Sequence, residues 1–540
     1  MWSNFIFFVS NLFHIMKKVT FLKALVVLIA LLILIKILTT VILEPWIGNK
    51  IETALNDRNE YFTIDFDKVH ISLIQRGIQL TGITIQPKGD DEGHLNFNGE
   101  IASVECKGIK LTKALFNNGI DIREITISHA NLKGKMLFAD EAKTPMLSPQ
   151  DIRLGKVFID QIDIAINDVA TSQSYSVKKG VSTFYDLQVE KHDTISSGNI
   201  KEFDFEADEF LSVSKDSMYT FKTNGMSYSR TSNELAIDTF FVHPNYSDEN
   251  FTSRYKFQTD RVEGVFSSIY VHDFSASDLL KSNSMISSFI EVGHLDLKVY
   301  RDRRNPFRHA NKTPLQDLLY NYPGDIHIDS IGLKSGNIIY TEHAELANEP
   351  GRISFNKTHA KIYKVTNDTI YKTKKDFLVM RAQALLMGKG HMTILLNGEI
   401  YDPQNTFSLS GTLSAMDAKA INPMLEKIAY IYITTGKIDK IDFNFTANNT
   451  RAAGSMHLLY HDFGITLKNK QTDDTTAFKE RVSSYIANSK LLDANSLQGE
   501  DKRTGLIEYE RDPEKSFVNY CFKAILSGIL SSISKRPEKN

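Results

Sequence analysis

Along most of the chain apolar and polar residues alternate with a period of two, the pattern of a strand with one apolar face. Phe62, Ile64 and Phe66 alternate with Thr63, Asp65 and Asp67, and Val69, Ile71 and Leu73 follow one step out of phase. Gln75, Arg76 and Gly77 turn the chain. Ile78 and Leu80 resume, Gly82 shifts the phase again, and Ile83 and Ile85 follow. Phase slips at glycine predict bulges or tight turns. The same alternation returns at Ala102, Val104 and Cys106, at Ile162, Ile164 and Ile166, at Leu295, Leu297 and Val299, and at Phe443 and Phe445. Consecutive antiparallel strands joined by short loops are expected. Ile120 to Ile127, Val157 to Ile164 and Ile326 to Leu333 each read as strand, polar break, strand. Their irregular period excludes a strict solenoid.

Two stretches depart from this period. From Phe21 to Leu43 the chain is apolar apart from Lys23, Lys36 and two threonines, and it stops at Glu44-Pro45. At roughly 1.5 Å per residue such a run crosses a hydrocarbon core of roughly 30 Å. Lys36 sits where the last turns begin and can snorkel outward or pack against a partner helix. Lys17, Lys18 and Lys23 precede the run and Glu44 follows it, so the N-terminus is expected in the cytoplasm and the bulk of the chain outside. A cleaved signal peptide is the rival reading, but no small-x-small cleavage site follows. Met16-Lys17-Lys18 reads as the true start, with the aromatic stretch before it an over-extension. The second departure is the last element, residues 515–534. Phe517, Val518, Cys521, Phe522, Ile525, Leu526, Ile529, Leu530 and Ile533 make a broad helical stripe. It reads either as a helix capping the end of a sheet or as an amphipathic helix lying on a membrane. Other helices are expected at Trp46 to Asn56, Ser277 to Phe289, Ala418 to Tyr430 and Ala477 to Leu492, with polar loops before and after the last.

The division expected is a cytoplasmic segment 1–18, a transmembrane anchor 19–43, β regions 44–290 and 291–470, and a helical segment 471–540. The fold class is mainly β with a few helices: an N-terminal transmembrane helix, an elongated, twisted, mostly antiparallel sheet, and a C-terminal amphipathic helix. A net charge of −2 argues against a general nucleic-acid binder. Two cysteines, Cys106 and Cys521, exclude a disulfide framework and a Cys-based zinc site, and read best as unrelated thiols.

Catalytic signatures are missing. The sequence has no phosphate-binding glycine loop, nucleophile elbow or HExxH. His272-Asp273 and His461-Asp462 are sequence neighbours, which in a strand point to opposite faces. The acidic run Glu202, Asp204, Glu206, Asp208 and Glu209 reads as the polar side of a strand and lacks the glycine turn of a calcium hand. Arg301, Arg303, Arg304 and Arg308 read either as a solvated loop or as a contact for anionic lipid phosphate, which guanidinium forks match. No catalytic residue, cofactor or metal is expected.

The anchor, the short linker, the phrase Gly77-Ile-Gln-Leu-Thr-Gly-Ile-Thr-Ile85 and the strand pair at Ile120 to Ile127 resemble the AsmA-like envelope proteins. Gly411-Thr-Leu, Asp417 to Leu425 with Asn422-Pro423, Gly436-Lys-Ile, and Gly454 to Asp462 are similar to that group's C-terminal region, and Leu295 to Phe355 to its middle. The resemblance implies a repeating β-groove related to the TamB and chorein-type bridge proteins. It also implies a single-pass inner-membrane protein, mostly periplasmic, acting in phospholipid transport and outer-membrane homeostasis. Phe62, Ile64, Phe66, Ile83, Ile85, Ile162, Ile164, Leu295 and Leu297 would line the groove. Membrane through residues 19–43, phospholipid and other envelope proteins are the expected partners, and nucleic acid is not one. The competing expectation is an envelope assembly scaffold with a closed β core, in which the same residues pack internally.

Overall fold

The computed structural model describes residues 28–57, 62–88, 96–110, 119–136, 151–169, 171–190, 200, 202–372, 375–467, 494–495 and 503–534. The expected start at Met16, the first turns of the apolar run and the helix expected at Ala477 to Leu492 lie outside these residues. The protein is mainly β. The chain divides into two compact units, residues 1–171 with 178–201, and residues 172–177 with 202–540. The position expected to separate two β regions, 290/291, lies inside a strand, Met285–Asp302.

In the first unit a helix runs from Leu28 to Asn56, with a π turn at Thr39–Leu43. It is long and apolar enough to cross a membrane. β1 (Phe62–Asp65) and β2 (Lys68–Ser72) both pair with β3 (Gly77–Pro87), which pairs with β4 (Asn96–Lys107), all antiparallel. β4 pairs with β5 (Gly119–Met136) antiparallel, and β5 with β6 (Asp151–Asp168) parallel. β7 is Ser174–Val189.

The second unit holds β8 (Glu202–Val213), β9 (Tyr219–Ser229), β10 (Glu234–Pro244), β11 (Asp260–His272) and β12 (Met285–Asp302), paired in order and antiparallel. β13 (Ile326–Leu333) and β14 (Gly336–His343) lie parallel to β12, and both pair with β15 (Gly351–Thr366). β16 (Phe377–Leu386), β17 (Gly390–Glu399), β18 (Phe407–Asp417), β19 (Ile431–Ala447), β20 (Arg451–Leu467) and β21 (Gly505–Glu510) continue antiparallel.

The phase slips of the sequence have a backbone cause. Gly82 has φ +64° and stands in register with Ala102 of β4, which in turn faces His129 at φ +51°. Gln161 beside it on β6 has φ +57°. In the second unit Gly225 (φ +55°) and Ser268 (φ +54°) flank Asp238 in the same way. One left-handed residue takes one place in the alternation, so the apolar sets on either side of it return to the same face. Gly336 demonstrates the result. A Cβ there would lie 3.2 Å from Leu295 Cβ, two residues past Gly293 of β12, and 3.3 Å from Cδ2 of Leu333, the β13 residue in register with Val292 before it.

The strand edges at β1, β2 and β21 are sealed by helices. The Asn56 side chain accepts from Ile64 N–H (2.8 Å) and donates to Ile64 C=O (2.9 Å), while Glu44 accepts from Ile71 N–H (3.0 Å). On β21, Leu506 and Glu508 N–H donate to Ser531 and Ser527 Oγ of the C-terminal helix, Phe517–Ile533. Unpaired strand edges invite other chains, and these side chains occupy the edge groups.

The helix expected over Ser277 to Phe289 is shorter than its apolar spacing suggested. It covers Ala276–Ser282, ends at Asn283 with φ +53°, and Met285 onward is β12. Asn283 and Ser284 stop the helix. Ile286 and Ile290 share helical spacing but sit in a strand with a slipped phase. The Ala418 to Tyr430 expectation corresponds to a 3-10 turn, Ala418–Ile421, followed by a helix, Asn422–Ile428.

Candidate functional site

The register of each sheet stacks its apolar positions into rows. In the first unit one row is Ile71, Ile78, Cys106, Ile125 and Val157, and the next is Val69, Leu80, Val104, Ile127 and Ile159. Beyond the left-handed residues come Ile83, Ile101, Ala130 and Ile162, then Ile64, Ile85, Gly99, Leu132 and Ile164. Polar rows such as Thr84, Glu100, Asn131 and Asp163 alternate with them. The sheet therefore carries a continuous apolar face, built by period-two patterning on every strand.

Five of the nine expected groove residues meet in these rows. Ile64, Ile85 and Ile164 share one, and Ile83 and Ile162 share its neighbour. Ile83 is 4% exposed, while Ile64, Ile85, Ile162 and Ile164 are half-buried. Phe62 is buried, its ring 4.2 Å from that of Phe97. Phe66 stands against the N-terminal helix, where a Cβ on Gly48 would lie 3.8 Å from its ring and 3.3 Å from Val69. Cys106 is a free thiol within a row, and burial, then the Glu105 charge, pushes its pKa up.

Leu295 and Leu297 belong to the second unit, where the rows are longer. Ala207, Met226, Ile237, Ile269, Val292 and Leu333 are in register from β8 to β13. The same row continues through Ala360, Ala382, Ile394, Gly411, Phe443 and Met456 on β15 to β20. A neighbouring row runs from Phe205 through Tyr228, Leu235, Val271 and Ile290 to Ile331. Past the phase slip, Phe240, Phe266 and Leu295 form one row, and Val242, Gly264, Leu297 and Ile338 the next.

Burial divides these rows. On β16 to β21 they form a closed core in which Leu396, Leu409, Leu413, Phe443, Phe445, Met456 and Ile507 pack under Tyr520 and Ala524 of the C-terminal helix. That helix caps the sheet, which is the first of its two sequence readings. Val518 (74% exposed) and Phe522 (47%) remain outside. Cys521, on the packed side, is a free thiol pushed up to about 12 by burial. On β8 to β12 most row members, Leu295 and Leu297 among them, are half-buried.

The basic cluster is largely engaged. Arg301 pairs with Asp260 (2.6 Å), Arg303 with Glu342 (3.1 Å) and Arg304 with Asp302 (2.7 Å), while Arg308 is exposed. Glu342 also accepts from Tyr340 Oη (2.6 Å). The following loop is tied to the start of the C-terminal helix by His309 with Glu514 (3.0 Å) and by Lys515 over the Phe307 ring (3.1 Å). His272 pairs with Glu234 (2.8 Å) and stacks on Phe289, and His461 pairs with Asp439 (2.9 Å). His461 Nε2 also lies 3.9 Å from Asp462, its sequence neighbour, beyond hydrogen-bond distance.

A hollow of about 590 Å³ lies over β15 to β19. Its lining includes the apolar row itself, Leu333, Ala360, Ala382, Ile394, Gly411 and Phe443, together with flanking residues such as Arg381, Gln383, Thr393 and Thr412. Thr393 and Thr412 hydroxyls are 2.7 Å apart. Among the described residues no group of three or more His, Cys, Asp or Glu is placed to hold a metal ion.

Sequence reasoning missed Glu44 and Asn56, the residues that seal the first edge, because edge capping depends on tertiary placement. Leu73, expected to continue the apolar face of Val69 and Ile71, instead lies beyond the end of β2 at Ser72, in an exposed turn with Ile74, to which the sequence reading gave no role. The sequence matches no family model and no curated protein.

Proposed function

We propose that this protein is a non-enzymatic, membrane-anchored lipid-handling protein of the AsmA-like kind, holding phospholipid acyl chains on its half-buried apolar sheet faces. The observation that carries the reading is the contrast in burial along rows of one kind. On β16 to β21 a helix closes them into a core. On β3 to β6 and β8 to β12 comparable rows stay half-buried, and apolar surface left in water is unfavourable by roughly 25 cal/mol per Å². Acyl chains relieve that cost while head groups stay in water. The anchor helix and its flanking lysines support a location in the inner membrane with the sheets in the periplasm.

The test is lipid extraction and mass spectrometry on mildly purified full-length protein. Co-purifying phospholipid is expected, and it should fall several-fold in Ile85→Asp, Ile164→Asp and Leu297→Asp, which alter half-buried positions. Ile83 is too deeply buried for this purpose. A folded protein with no lipid above control overturns the reading in favour of an envelope assembly scaffold, for which the closed core of β16 to β21 is the supporting feature.

A further inference from the structure

The turn between β2 and β3 breaks the rule that tight turns are polar. Leu73 is 55% exposed and Ile74 is 97% exposed. Its position follows from the anchor. Glu44 is bonded to Ile71 N–H and Asn56 to Ile64, so helix and strands run side by side in opposite directions. The lengths agree: Glu44 to Asn56 spans about 18 Å at roughly 1.5 Å per residue, and Ile64 to Ile71 about 23 Å at roughly 3.3 Å. Beyond Ile71 the chain therefore continues past Glu44, toward the apolar turns that end at Leu43. The turn lies alongside the last apolar stretch of the membrane helix, where Val41 and Ile42 are exposed.

The same end of the sheet is basic. Arg76 follows the tip, Arg123 precedes Ile125 and Arg153 precedes Val157, and Ile125 and Val157 are in the row of Ile71. All three arginines are exposed. Lys110 also projects there, paired with the buried Asp121 (2.9 Å). The carboxylates nearby are Glu105, paired with Lys107 (2.9 Å), Glu124 and Asp151. An apolar tip at the same sheet end as exposed guanidinium groups on β5 and β6 matches the boundary between acyl chains and anionic head groups.

We propose that the Leu73–Arg76 tip is a second, non-spanning membrane contact. It enters the interfacial layer of the bilayer crossed by the Leu28–Asn56 helix, while Arg76, Arg123 and Arg153 meet lipid phosphates. With the tip and Glu44 both fixed, the apolar row of Ile71, Ile78, Cys106, Ile125 and Val157 stands directly above the membrane surface. The proposal rests on the helix being a membrane anchor and is independent of lipid cargo.

The test uses full-length protein carrying Cys106→Ala and Cys521→Ala in phosphatidylcholine–phosphatidylglycerol vesicles. Single cysteines at Ile74, at Leu32 in the anchor and at Gln86 at the far end of β3 carry an environment-sensitive fluorophore. Ile74→Cys is expected to give blue-shifted emission, quenched by a spin-labelled lipid and shielded several-fold from iodide. Leu32→Cys should be quenched by lipid and Gln86→Cys by iodide alone. A lipid-quenched Leu32→Cys with a water-like Ile74→Cys overturns the tip and leaves the anchor standing. Water-like emission at both overturns the anchor and the tip together. In phosphatidylcholine alone, emission at Ile74→Cys should shift toward water as the arginines lose their anionic partners, and indifference to lipid charge overturns their role.

Discussion

Gly82 holds a left-handed backbone in the middle of β3, and a Cβ on it would fall 2.1 Å from Asp67 Oδ2. Gly225 repeats the arrangement against Asp238 at the same 2.1 Å. Left-handed backbone costs a residue with a side chain roughly 1–2 kcal/mol, and the carboxylate must also move. Gly82→Ala is therefore expected to lower stability by about 2 kcal/mol in urea unfolding. An unchanged midpoint would show that the phase slip does not depend on this residue. Asp302 is a second point of leverage. It is buried and accepts from Arg304 N–H and Nε, both at 2.9 Å. Burial works against its charge, but the bonds from Arg304 outweigh it and hold the carboxyl below its ordinary value. A depressed carboxyl contributes its stability in full above the unfolded pKa of about 3.9 and loses it as pH falls through the lower folded value. Asp302→Ala should cost about 2 kcal/mol near neutral pH, since it removes the buried carboxylate that accepts from the Arg304 backbone and guanidinium. The difference from wild type should shrink below about pH 4. A difference that is constant with pH would mean the carboxylate charge is not what binds the loop.

At the scale of elements, the C-terminal helix is held by small residues as much as by large ones. A Cβ on Gly528 would lie 2.7 Å from Ile507 and 3.1 Å from Met456, both fully buried. Gly528→Val should lift the helix from the sheet and cost about 3 kcal/mol, measured by denaturant unfolding. Ser527→Ala or Ser531→Ala frees an edge N–H that water can reach, and should cost only about 0.5–1 kcal/mol. If the serines cost more than the glycine, edge capping and not core closure is the helix's main contribution. The strands were legible because each is patterned on its own, and the slip at Gly82 marked a real left-handed position, while the polar break expected within Val157 to Ile164 is one left-handed residue, Gln161, inside a continuous strand. The limits of Ala276–Ser282 were not legible, since Leu279, Leu280, Ile286 and Ile290 fit a helical stripe as well as a helix followed by a slipped strand. Which rows are covered was illegible too. Leu297 and Leu409 look alike in sequence, and only the placement of Phe517–Ile533 closes one row and leaves the other half-buried.

For the whole molecule, the same writing in sequence has two physical outcomes, and they should differ in dynamics. Every strand has its backbone ladder, so secondary structure alone predicts even protection. Resistance to local opening depends in addition on buried apolar contact. In the second unit Tyr460, Phe445, Met456 and Ile507 are nearly inaccessible beneath the C-terminal helix. On β8 to β11 the row members are mostly half-buried, with a small buried cluster at Val271, Phe274 and Ala276. In the first unit the buried apolar side chains Ile71, Ile83, Ala130 and Val157 are interspersed with half-buried ones. Hydrogen exchange followed by mass spectrometry is thus expected to find the slowest amides in β18 to β20 and Phe517–Ile533, and amides of β3 to β6 and β8 to β11 exchanging at least tenfold faster, the factor that about 1.4 kcal/mol of opening free energy gives. Returning phospholipid to delipidated protein should slow exchange in those faster strands and leave β18 to β20 unchanged. A gain spread evenly over all strands would indicate general stabilisation and not occupancy of the open rows. No gain at all would leave the half-buried faces without a lipid partner and assign them to protein.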